Sequence, residues 1–137
     1  MSELYSEQSH LSPSEWLHKR QDDLYGYKLS IELELADAVD HSSPDRFKLL
    51  QQFTIIEARL FNCMQLSTTY PDEGIAGIEK LYDFNLAQYH QQQLNNEKLG
   101  RYMSTAGILV SRTMLEEVKA KLSDTSEFIN LVKNSRN

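Results

Sequence analysis

Residues 74–100 read GIAGIEKLYDFNLAQYHQQQLNNEKLG, and this stretch decides the fold class. Ile75, Ile78, Tyr82, Leu86, Tyr89 and Gln93 recur in steps of three and four, which places them on one face of a helix. Tyr70-Pro71-Asp72-Glu73 stands immediately before it as punctuation, because proline removes a backbone N–H and disfavours helix at the residue ahead of it. A loop over 67–73 and a helix over about 74–95 are expected. The stretch holds no residue with a catalytic signature.

Working outward, the same period continues on both sides. Upstream, Leu49, Phe53, Ile56, Leu60 and Cys63 form the stripe of a helix expected over about 44–66. Phe47, Leu50, Phe61 and Met64 widen that stripe, so the helix reads as central and heavily buried, with Glu57 and Arg59 at its edge. Ser12-Pro13-Ser14-Glu15 is a helix start: serine accepts from free N–H groups and proline suits the first helical position. The helix that follows, over about 13–39, carries Leu17, Leu24, Tyr27, Ile31, Leu35 and Ala38 as its stripe. Within it Leu29, Ile31, Leu33 and Leu35 alternate with polar residues, a strand-like period. Helix is still expected, since Leu, Glu, Lys and Ala favour it. Such a helix shows apolar residues on more than one face, so it is either packed from two sides or keeps one side for a partner.

Downstream, a helix is expected over about 97–122, with a break at Asn95-Asn96. One side carries Leu99, Met103, Ala106, Val110, Met114 and Val118, and the other a small-residue seam of Gly100, Ser104, Gly107 and Ser111. Asp124 with Glu127 three residues on reads as a capping box opening a short fifth helix, about 125–133, with Phe128, Leu131 and Val132. Residues 1–11 are polar apart from Leu4, Tyr5 and Leu11 and read as a mobile arm. Short connections set successive helices antiparallel. The expected architecture is therefore all-α: one domain over 1–137, an up-and-down antiparallel four-helix bundle with a short fifth helix and a flexible N-terminal arm.

Composition bounds the function. The chain has 137 residues, 20 acidic against 14 basic, and a formal net charge of −6, which argues against a nucleic-acid partner. No run reaches the roughly 18 apolar residues of a membrane helix. The opening MSELYSEQSH is acidic and polar, unlike a signal peptide, so a cytoplasmic location is expected. Cys63 is the single cysteine and reads as a buried hydrophobe. Glu15-x-x-His18 has the spacing of helical di-iron sites, but those need a second such motif, and His10, His41 and His90 lack one. Phosphate loops, nucleophile elbows and His-Glu-x-x-His are missing from the sequence. No catalytic residue, cofactor or metal is expected, which leaves a binding protein.

The pieces together resemble one family. Gly74-Ile-Ala-Gly-Ile-Glu-Lys-Leu81-Tyr82-Asp83-Phe84, followed by Gln93-Leu94-Asn95-Asn96-Glu97, is similar to the FliS family of flagellin export chaperones. Those carry Gly…Ile-Ala…Leu-Tyr-Asp-Tyr ahead of an Asn-Leu-x-Asn-Asp turn. Ser12-Pro13 resembles the family's Ser-Pro before its first long helix, Leu24-Tyr25-Gly26 its Leu-Tyr-Asp-Gly, and Tyr5 its N-terminal tyrosine. The resemblance implies a cytosolic chaperone that binds the disordered C-terminal region of flagellin, or of a similar filament subunit. Such a chaperone prevents premature polymerisation and presents its client to the export gate. Recognition is then helix-in-groove. The residues it singles out for partner contact are Tyr25, Leu29, Leu33, Tyr82, Leu86 and Tyr89, with Tyr5 and Leu11 on a covering arm. Two other classes fit the residues: an oligomeric adaptor or regulatory bundle (phage, plasmid or secretion accessory), a homodimer joined through the Gly100–Ser111 seam, and a small metal-binding bundle.

Overall fold

The structure is a computed structural model and describes residues 11–37 and 44–135. The rest of the expected arm, Tyr5 included, lies outside the described residues, as does the connection over 38–43. The fold is all-α. Among the described residues only Leu11, Ser12, Met103 and Ser104 stand outside a helix. Helix α1 spans Pro13–Asp37, α2 spans Pro44–Leu99 with an interruption at Gly74, a 3-10 turn covers Gly100–Tyr102, and α3 spans Thr105–Ser135.

A complete capping box opens α1. The Glu15 N–H donates to Ser12 Oγ (3.1 Å) and the Ser12 N–H donates to Glu15 Oε1 (3.0 Å). The Ser12 N–H and, after it, the Ser12 hydroxyl hold the Glu15 carboxyl below its ordinary range. The strand-like alternation at 29–35 is overruled, and the helix is continuous through it.

The expected loop over 67–73 is helical instead. Leu66 is fully buried and the Tyr70 ring meets the Phe128 ring edge-on at 5.3 Å, so tertiary packing anchors the turn that carries Pro71. The interruption comes at Gly74, whose φ of 66° and ψ of −158° lie in a region open essentially to glycine alone. Three residues on, a Cβ at Gly77 would fall 2.5 Å from Glu73 Cβ and 2.9 Å from Thr69 Cγ2. The chain on the two sides of Gly74 is thus brought into close approach, and only glycine fits at position 77.

Both sides of Gly74 lie against α3. Before it, Gln51 donates to Thr113 (2.8 Å) and Asn62 to Thr125 (3.0 Å), and Tyr70 meets Phe128, so the α3 numbers rise. After it, Glu79 pairs with Lys133 (3.8 Å). Gln88 and Gln92 then line a groove with Met114 and Val118, and Asn96 lines another with Ile108, so the numbers fall.

Two further boundaries differ from expectation. Asn95-Asn96 does not break the helix. Gln91 and Gln92 donate to Asn95 Oδ1 and Asn96 Oδ1 one turn on (3.1 Å each), a spacing that supports a helix. The break falls at Met103-Ser104, where Ser104 caps α3 by accepting from the Gly107 N–H (3.1 Å). At the other end α3 runs unbroken to Ser135, so no separate fifth helix forms. Asp124 is an interior helical residue, 1 % exposed, because two arginines occupy its carboxylate in place of a capping role.

Among the described residues the core divides into two clusters. The first joins Trp16 and Leu17 of α1, Leu66 and Ile78 from either side of Gly74, and Phe128, Leu131 and Val132 of α3. The second joins Leu24 and Ile31 of α1 with Ile56 and Cys63 of α2.

Candidate partner-binding surface

Helix α1 presents opposite faces to different surroundings. Leu24 and Ile31 are buried in the second cluster. Tyr25, Leu29 and Leu33, spaced by four, form a ladder on another face and are 58 %, 57 % and 60 % exposed. The alternation of leucines at 29–35 is thereby explained: α1 is packed from one side and leaves an apolar face open. Tyr27, expected in the buried stripe, is exposed and lines a groove between α1 and α2 with Ile55 and Ile56.

A second ladder stands on α2, and it corrects the expectation of a heavily buried helix. Phe47, Leu50, Phe61 and Met64 are all exposed, while Phe53 and Leu60 pack against the second cluster. With Thr54 and Glu57 between them, these positions step by three and four alternately, the spacing of a coiled-coil seam. The two ladders are bridged. Lys28 of α1 pairs with Glu57 of α2 (3.6 Å) and sits 5.4 Å from the centre of the Phe53 ring.

The remaining candidate residues are placed differently. Tyr82, Leu86 and Tyr89 are half-buried on the segment after Gly74. Tyr82 and Tyr89 share the face of Ile78 and Asn85, both buried, by steps of four, three and four. Leu11 packs onto the first cluster. Tyr5 lies outside the described residues. The small-residue seam does not persist as one helical face, because Gly100 and Ser104 precede α3. Met103 fills it: its sulfur accepts from the buried Ser111 hydroxyl (3.6 Å), and its Cβ lies 3.5 Å from where a Gly107 Cβ would be.

The buried polar groups form a clasp. Asp124 accepts from Arg59 Nε (2.8 Å) and Nη2 (3.0 Å) and from Arg20, whose other Nη donates to Glu127. The Arg20 guanidinium stacks 4.6 Å from the centre of the Trp16 ring. Asn62, fully buried, donates to Thr125 and to the Lys121 carbonyl. One carboxylate thus ties α1, α2 and α3, and its charge is matched by the two arginines. The clasp offers no nucleophile beside a base. The nearby Cys63 thiol is fully buried, and burial pushes its pKa up to about 11, so it stays protonated at neutral pH.

Glu15, half of the Glu15-x-x-His18 pair, is engaged by Ser12, and His18 faces Asp22 at 3.4 Å on the surface. Among the described residues no group of three or more His, Cys, Asp or Glu is placed to hold a metal ion, and no helix is long and apolar enough to cross a membrane. No family model, curated protein or solved structure matches this chain.

Proposed function

We propose that this chain is a cytoplasmic, non-catalytic helical chaperone that binds a disordered segment of a secreted, filament-forming subunit of the flagellin type. In this role it keeps the subunit from assembling before export and hands it to an export-gate component. The carrying observation is the open apolar face of α1, where Tyr25, Leu29 and Leu33 are each more than half exposed while Leu24 and Ile31 are buried. Contiguous apolar surface of this kind marks an interaction site. The scaffold behind it is read as an up-and-down antiparallel four-helix bundle of one domain, made of α1, the two sides of Gly74, and α3. The rising and falling contacts of α3 and the close approach at Gly77 support that reading, as does the pairing of Trp16 and Arg20 with Phe128 and Asp124.

Co-expression with a flagellin C-terminal segment tests the function. The expected result is an equimolar complex with a Kd of about 1 μM or tighter, roughly −8 kcal/mol. The double substitution Leu29→Ser, Leu33→Ser abolishes it. These side chains are exposed, so folding is retained. Absence of binding at tens of micromolar overturns the proposal.

A further inference from the structure

The two exposed ladders differ from an ordinary apolar patch in the charges around them. On α1, Asp22 and Glu32 stand three residues from Tyr25 and Leu29 and so share their face. Asp37 stands four residues beyond Leu33, and residues 29–37 hold no Lys or Arg. Cations nearby are engaged: Lys28 with Glu57, Lys19 with Asp23, and Arg46 with the Leu35 carbonyl. Lys48 shares its face with Gln51, which turns toward α3. The face that carries the ladders is therefore apolar, spanned by the Lys28–Glu57 pair, with Asp22, which faces His18, and Glu32 at its negative rim.

We infer that the ladder of Tyr25, Leu29 and Leu33 and the seam of Phe47, Leu50, Phe61 and Met64 together seat one amphipathic helix of another protein, flanked by Lys or Arg. This rests on the reading of the chain as a chaperone and names the chemistry of the segment it takes. The seam selects a helix, because steps of three and four match the 3.5-residue period of a packed partner helix. The rim selects cationic flanks, since charge complementarity sets partner choice. A second copy is disfavoured: a two-fold contact would bring together two copies of the same acid-rimmed face, on chains of net charge −6 each. The chain's own first ten residues, MSELYSEQSH, hold two glutamates and no Lys or Arg, the wrong sign for this rim.

Two labelled synthetic helices test this on the full chain by fluorescence anisotropy. Both carry leucine at the seam positions, and one is flanked by Lys, the other by Glu. The Lys-flanked helix is expected to bind about tenfold tighter or better, and the gap should narrow as salt rises from about 50 to 500 mM. Asp22→Lys with Glu32→Lys should reverse the preference, and Leu29→Ser with Phe61→Ser should remove binding of both. Equal binding of the two helices, binding of neither, or a light-scattering dimer that Leu29→Ser dissociates would overturn the inference. If the flagellin segment binds and the Lys-flanked helix does not displace it, this inference fails and the chaperone reading stands. If the Lys-flanked helix binds and the flagellin segment does not, the reading fails and the inference stands.

Discussion

The two core clusters are built from different amounts of chain. Around Phe128, side chains arrive from α1, from both sides of Gly74 and from α3, and four of the seven core members are fully buried. Around Ile31, among the described residues, only α1 and the first part of α2 contribute, and the partly buried Leu35, Leu49, Phe53 and Leu60 form the margin. The open ladders run alongside this thinner core. A helix packed from one side has its other face available for binding, and it gives up the stability that a second layer would add. The difference between the clusters is therefore read as a division of labour, one end holding the fold and the other leaving surface free.

The largest effect expected is at the dense end. Phe128 is fully buried between the Trp16 ring (5.5 Å) and the Tyr70 ring (5.3 Å). Phe128→Ala should cost about 3–5 kcal/mol in chemical denaturation, through lost transfer energy and the cavity left behind. Ile31→Ala should fall near the bottom of the range of about 2–5 kcal/mol for such truncations, because fewer neighbours surround the gap. If both substitutions cost the same, the contrast between the clusters is wrong.

The next effect concerns how the dense end receives chain from both sides of Gly74. Gly74→Ala places a Cβ in a conformation that alanine avoids, at a cost of about 1–3 kcal/mol, although no atom lies within 4 Å of that Cβ. Gly26 supplies the control. It is exposed within α1, also with open space around it, so Gly26→Ala should stabilise by roughly 0.5–1 kcal/mol. The same substitution with opposite signs in thermal melts would isolate backbone conformation from packing.

Much of the fold could be read from local sequence, and the failures share a cause. The Ser12 cap, the α1 stripe through Leu17, Leu24 and Ile31, and the change of helix at Gly74 are visible because they are written within a few neighbouring residues. Helix at Tyr70-Pro71 depends on the Tyr70–Phe128 contact across 58 positions, and no local pattern carries that. Asp124 fits the Asp-x-x-Glu pattern of a cap, whereas its partners Arg20 and Arg59 lie 104 and 65 residues away. The α2 seam was legible as a spacing but not as a surface. Phe47, Leu50, Phe61 and Met64 show apolar periodicity whether the helix against them belongs to this chain or to another. In the candidate site the ladder at 25, 29 and 33 is visible as an excess of apolar residues in α1, while its coupling to α2 through Lys28 and Glu57 joins positions 29 residues apart that no local pattern links.

The finest test of the contrast uses Cys63, which belongs to the thin cluster and is fully buried. Burial raises its thiol to about pKa 11, so reaction with a disulfide reagent at pH 8 must pass through an opened state in which the thiol regains an ordinary pKa near 8.5. If the thin cluster opens by itself, the labelling free energy should lie well below that of global unfolding. Equal values would mean that the two clusters open together and that the division between them is only geometric. The pH dependence gives an independent check. Between about pH 8.5 and 11 the unfolded thiol loses its proton while the folded one keeps it, so the unfolded state binds fewer protons and stability falls as pH rises, by at most about 1.4 kcal/mol per unit. Cys63→Ala removes this component, and the wild-type curve should steepen relative to the variant only within that window. Parallel curves would show that the site admits enough water to ionise the thiol in the folded state, a thinner cover over this cluster than its burial indicates.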